Sequence, residues 1–175
     1  MVKHIGIAAV SAEGAALCYR TICAEGTALL GRHSHPEITM HTYPLSHYML
    51  YIEAGNWEEV ARLVLSSAKK LADAGADFLI CPDNTAHQAF DRVTEHSPLP
   101  WLHIAEVVAS IAAQQGYTRV GVLGTRFLME GPAYPPKLAA QGIDYRIPGP
   151  EDRQRINEII FDELVYGRCE EPARS

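Results

Sequence analysis

The chain has 175 residues, enough for one ordinary domain or for two small α/β lobes. Hydrophobic residues make up 47% and charged residues 21%, the balance of a folded globular chain and not of a disordered one. Lys and Arg number 15 against 21 Asp and Glu, a formal charge of −6, which argues against nucleic acid or an anionic membrane surface as the main partner. A small anionic molecule stays open, because local N–H donors outweigh a modest global charge.

No apolar run, the one at residues 5–10 included, approaches the roughly 18 residues of a membrane span or the core of a secretory signal. The expectation is a cytoplasmic protein without a membrane partner. Cys18, Cys23, Cys81 and Cys169 then read as free thiols, and none of them forms a C-x-x-C pair.

Taken in order, the chain alternates strand and helix signals. Residues 3–10 read as a buried strand, and a helix opens at Ser11 and Glu13 and runs to Leu30. After a loop at 31–36, residues 37–43 are β-rich, and 46–54 are irregular or a short helix. Asn56 with Glu59 three residues on is a capping-box pattern. Val60, Val64, Ser67, Leu71 and Ala74 recur at helical spacing behind it, and Gly75 closes the helix. A short apolar strand at 77–81 leads through 82–85 into a helix ending near His96. Pro98-Leu99-Pro100 breaks the chain and marks the expected boundary between lobes at 1–98 and 99–175. The second stretch predicts a short strand at 101–104, a helix to Gly116, a buried strand at 119–124, a proline-broken helical segment to Gly142 and a short strand at 145–147. An amphipathic helix over 151–167 follows, with Ile156, Ile159, Ile160 and Leu164 on one face. Repeated βα units predict an α/β fold: parallel sheets with flanking helices.

Ligands of open α/β sheets bind beyond the carboxyl ends of the strands. Three such ends carry polar residues: Ser11, then Asp83-Asn84-Thr85, then Thr125-Arg126. Each precedes a helix N-terminus, where free N–H groups favour an anion. Plain helix capping explains the same residue types, and Asp83 in particular is a good cap.

The segment Pro82-Asp83-Asn84-Thr85-Ala86-His87 resembles the P-C-N-T-A-H motif of the aspartate/glutamate racemase family. Leu123-Gly124-Thr125-Arg126-Phe127, with Met129, Glu130, Gly131 and Tyr134, is similar to that family's second-lobe turn. Glu151-Asp152-Arg153 resembles the start of the helix beyond it, and Ile5-Gly6-Ile7 with Ser11 fits the first strand and loop. The resemblance covers nearly the whole chain. It implies two Rossmann-like lobes around a substrate cleft, and an isomerase that racemises an acidic amino acid without pyridoxal phosphate or any other cofactor. By position it implies Ser11, Asn84, Thr85 and Thr125 as substrate-binding residues.

Two departures stand out. Asp83 occupies the place of the family's first catalytic cysteine, which makes Asp83 the candidate acid/base. The family's second cysteine, in a G-C-T-E segment after one more strand, has no match within these residues; Cys169 in Arg168-Cys169-Glu170-Glu171 is a superficial echo. The second lobe therefore reads as lacking the family's last strand and helix. An unperturbed carboxylate is a weaker base than a thiolate by about 4.6 pKa units, or about 6 kcal/mol. Asp83 can act as base only where burial raises its pKa. Three readings follow: a racemase with an altered base, a decarboxylase of the arylmalonate type on the same fold, or an inactive carboxylate-binding homologue.

His33, His35, His41 and His47 cluster in sequence, but their spacing fits no standard metal site, so no metal is expected. His87, one helical turn past Asp83, either tunes its pKa or packs. His47 and its neighbour Tyr48 lie within possible reach of the site. No G-x-G-x-x-G follows the first strand and no G-x-x-x-x-G-K-[ST] occurs, so the α/β pattern implies no nucleotide. Apolar surface left open by a shortened second lobe predicts a homo-oligomer.

Overall fold

The computed structural model describes residues 2–169. The chain divides into two compact units, Met1–Leu102 and His103–Ser175.

The first unit runs β1 (Ile5–Ala9), α1 (Ala12–Leu30), β2 (Ile38–Thr42), α2 (Leu45–Glu53), α3 (Trp57–Asp73), β3 (Phe78–Ile80), a 3-10 segment (Thr85–Ala89), α4 (Phe90–His96) and β4 (Trp101–Leu102). The four strands form one parallel sheet in the order β2-β1-β3-β4. Parallel neighbours need long crossovers, and α1, α3 and α4 supply them. Because β4 pairs with β3, Trp101 and Leu102 belong to this unit.

The apolar face of α3 lies where the periodicity puts it: Val60, Val64, Ser67 and Leu71 are fully buried, whereas Ala74 falls past the helix end and is exposed. The helix starts on Asn56, whose side chain accepts from Glu59 N at 3.3 Å. It stops on Gly75, at φ +90, with Ala76 N donating to Leu71 O and Gly75 N to Ala72 O. This paired reversal needs the left-handed backbone that glycine adopts freely. Leu71 then packs with Ala8, Ala68, Ala76 and Leu79, and Leu99 and Trp101 close the cluster.

The segment after β3 differs from the single helix expected there. In an α-helix the Asp83 carbonyl would accept from His87 N. Here the His87 ring Nδ1 donates to that carbonyl at 2.7 Å, and His87 N turns to Asn84 O at 3.2 Å. The first turn therefore winds as a 3-10 helix, and α geometry resumes at Phe90.

The second unit runs α5 (Ile104–Gln114), β5 (Arg119–Gly121), α6 (Arg126–Met129), α7 (Pro135–Ala139), β6 (Asp144–Arg146), α8 (Pro150–Asp162) and a 3-10 turn (Leu164–Tyr166). β5 and β6 pair in parallel. Its core is Ala109, Ala112, Val122, Leu128, Ala133, Leu138 and Ile143. The helix expected over 151–167 ends earlier. Glu163 leaves the helical region at φ −125, a 3-10 turn follows, and Gly167 closes it at φ +70. No residue of α8 is fully buried.

Candidate active site

The order β2-β1-β3-β4 fixes where a site belongs. From β1 the chain moves outward to β2, then crosses back to place β3 on β1's other side. The carboxyl ends of β1 and β3 therefore flank the point where the winding reverses, the usual ligand crevice of an open parallel sheet. Ser11 follows β1, and Asp83, Asn84 and Thr85 follow β3. The two turns come close together. A Cβ added at Gly14, in the first turn of α1, would lie 2.8 Å from Ser11 Oγ and 3.2 Å from the Pro82 carbonyl oxygen.

Ser11 is half-buried and has the extended backbone of an N-cap, yet its hydroxyl makes no capping hydrogen bond. The capping explanation therefore does not account for this side chain. Asn84 stands at the start of the 3-10 segment, and its side chain does not cap it either. Thr85 is buried at 6% exposure.

Asp83 does cap. Its Oδ1 accepts from Ala86 N at 2.9 Å, and Thr85 N also donates to the carboxylate. Burial nevertheless dominates and holds its pKa above the ordinary aspartate value, with the two amides opposing that rise. The same carboxyl is thus both a cap and a strengthened base.

Cys81 lies beside Asp83 and is inert by environment. It is 2% exposed, its thiol points at the Asp83 carbonyl at 4.0 Å, and burial first, then the Asp83 charge, pushes its pKa up. A thiol in that position is a poor nucleophile and a poor base.

His87 meets the backbone of Asp83. Its ring stacks on Phe90 at 3.8 Å between centroids while Nδ1 serves the Asp83 carbonyl, so it shapes the turn and packs. Phe90 in turn meets Trp101 edge-on at 5.0 Å. Tyr48 sits fully buried on α2 near Ser67, Cys81 and Asp83. Sequence reasoning placed Tyr48 only within possible reach, and read Ser67 as a core-facing helix position.

In the second unit, Thr125 is the N-cap of α6. Its Oγ1 accepts from Leu128 N at 3.2 Å, the same i to i+3 arrangement that Asp83 makes with Ala86. Asn157 of α8 takes the next free amide, Arg126 N, at 2.8 Å. His41 and the other clustered histidines assemble no metal site: among the described residues no group of three or more His, Cys, Asp or Glu side chains is placed to hold an ion. No helix among the described residues is long and apolar enough to cross a membrane.

The sequence profile of the Asp/Glu/Hydantoin racemase family matches residues 7–174. The chain belongs to that family. Among solved structures, a Yersinia pestis protein assigned as an Asp/Glu racemase is 32% identical and superposes with a TM-score of 0.86, covering 99% of this chain and 76% of that one. An aspartate racemase homologue from Pyrococcus horikoshii OT3 is 27% identical at a TM-score of 0.77, covering 95% of this chain and 74% of that one. The broad specificity amino-acid racemase RacX of Bacillus subtilis (strain 168) is 28% identical over 103 residues, 59% of this chain. That match spans 44% of RacX, less than half its length. Membership makes the chain racemase-like in fold.

Proposed function

We propose that the protein abstracts the α-proton of an acidic amino acid without a cofactor, with Asp83 as the acid/base. The observation that carries this reading is the half-buried Asp83 carboxyl at the carboxyl end of β3, on the turn that comes close to Ser11 after β1. A carboxylate whose basicity is raised by burial can take a proton that an ordinary aspartate would leave in place. Ser11, Asn84 and Thr85 hold the substrate carboxylate, and backbone N–H groups of the turn stabilise the developing enolate. Thr125 is assigned to substrate by its motif, with its hydroxyl engaged at Leu128 N. One carboxyl supports removal and return of a proton on one face of the α-carbon. Inversion requires a second donor on the opposite face.

The test is proton NMR of the protein with L- and D-aspartate and L- and D-glutamate in D2O. The expected result is loss of the α-proton signal, abolished by Asp83→Ala. Chiral analysis of the same sample separates exchange from racemisation. An unchanged spectrum with folded protein overturns the proposal. Release of CO2 from a disubstituted malonate would then transfer the assignment to a decarboxylase.

A further inference from the structure

A cluster of polar side chains joins β2 to α3. Tyr43 follows β2 directly, and Ser66 and Lys70 stand one helical turn apart on one face of α3. Lys70 Nζ donates to Tyr43 Oη at 2.8 Å and approaches His41 Nε2 at 3.0 Å. An ammonium has three donors and no acceptor, so both partners accept and Lys70 keeps a third N–H. Ser66 Oγ lies 2.8 Å from the same phenol oxygen.

The neighbours hold this arrangement in place. Pro44 restricts Tyr43 to extended backbone, and Thr42 Oγ1 donates to the Tyr43 carbonyl at 3.0 Å. His41 meets the Tyr43 ring edge-on, 4.7 Å between centroids, and its Nδ1 donates to Ser67 Oγ at 3.0 Å. Burial, then the Lys70 charge, holds His41 below its ordinary pKa, so its ring stays a neutral acceptor toward Lys70. Lys70 Nζ also lies 4.4 Å from the centre of the Tyr43 ring.

The phenol oxygen is thereby prepared for negative charge. A neutral hydroxyl either donates to Ser66 or accepts from it, whereas an ionised oxygen accepts from Ser66 and Lys70 together. These hydrogen bonds, that of Lys70 foremost, hold the Tyr43 phenol below the usual tyrosine range. Tyr43 keeps part of its surface in solvent, unlike Tyr48, which is fully buried.

We propose that Tyr43 is an acyl-acceptor site: its phenol oxygen, held between Lys70 and Ser66, attacks the carbonyl of a small activated carboxylic acid derivative. The oxygen bonds to the carbonyl carbon, and the bond from that carbon to its leaving group breaks, the electron pair departing with the leaving group. The phenol proton ends on solvent or on the leaving group. The third N–H of Lys70 is available to the carbonyl oxygen as charge gathers there. The ligand class is an acyl phosphate or acyl imidazole and not an amide, because a phenolate displaces only groups that leave about as readily as itself.

The experiment treats the protein with N-acetylimidazole at neutral pH and follows O-acetylation of each tyrosine by peptide mass spectrometry. Initial rates are compared, before Lys70 itself is acetylated. Hydroxylamine strips acetyl from tyrosine oxygen and leaves it on lysine nitrogen, which separates Tyr43 from Lys70. Tyr43 is expected to react about threefold or more faster than Tyr117 and Tyr166, although these are 55% and 68% exposed and Tyr43 is half-buried. Lys70→Met keeps the stem and removes the ammonium, and is expected to bring the Tyr43 rate down to that of Tyr117 or below. A wild-type Tyr43 no faster than the two exposed tyrosines overturns the proposal, and so does a fast Tyr43 indifferent to Lys70→Met. If Lys70→Met does not fold, Ser66→Ala takes its place with the same two outcomes. No amino-acid turnover enters the readout and no residue of the cluster belongs to the Asp83 turn, so the result is independent of the proton-abstraction proposal.

Discussion

Asp83 experiences two opposing influences. Burial penalises its charge, and the amides of Thr85 and Ala86 reward it; burial wins and the pKa rises. Between the ordinary aspartate value and that raised value, the folded protein binds the proton more tightly than the unfolded chain. Stability therefore falls as pH rises through this window. Asp83→Asn removes the titration while keeping an oxygen that accepts from one amide. Thermal melts are expected to show the variant gaining on wild type from pH 4 to pH 8, and a constant difference would contradict the raised pKa. At this scale the motif made Asp83, Asn84, Thr85 and Ser11 legible, because chemistry-bearing residue types stood at strand ends. Ser67 was hidden because helical periodicity assigns its position to a core, and Tyr48 was legible only as a neighbour of His47 within reach of the site.

At the scale of elements, α3 was readable, Ala74 apart, because its start, its apolar face and its stop are each encoded locally, by Asn56, by Val60 through Leu71 and by Gly75. The segment after β3 was not, because its 3-10 winding depends on one ring nitrogen of His87 taking a carbonyl from the backbone. No periodicity records that exchange. The helix over 151–167 was overextended because its apolar spacing continues past Glu163, where the backbone turns away. Packing of α3 on the sheet depends on Gly6 in β1. A Cβ there would stand 2.5 Å from Leu79 Cδ2, 3.1 Å from Ala76 Cβ and 3.2 Å from Leu71 Cβ. Gly6→Ala is expected to cost about 1–3 kcal/mol, read as a lower denaturation midpoint in urea. A midpoint equal to wild type would mean that α3 can withdraw at no cost.

Over the whole molecule, both units leave large apolar side chains uncovered. Leu29 is 84% exposed and Leu50 64% in the first unit, and Leu123 is 63% exposed in the second. Scattered apolar residues are ordinary, but several on α1 and α5 suit association with a second copy. Light scattering is expected to give about twice the chain mass of 19.3 kDa; a monomer at working concentration would contradict this. The alternation of strands and helices made the parallel α/β class legible. The strand order was not legible, since it depends on which edge of β1 each later strand meets.

That order also governs how the first unit can be reached from a disordered chain. His4 N bonds Asp77 Oδ2 at 2.7 Å although the two are 73 positions apart, and β1 and β3 pair immediately beyond them. Closing so long a loop costs conformational entropy before any contact across it forms. Until β3 docks, β1 has β2 as its sole strand partner, and a lone parallel pair is not stable by itself. The central strand, with Ile7, Ala8 and Ala9 buried in the finished sheet, thus stays uncovered through the early part of folding. The long-range pairing that brings the carboxyl ends of β1 and β3 side by side is therefore expected to be the slow step in forming the first unit, with the interval before it the one most open to aggregation.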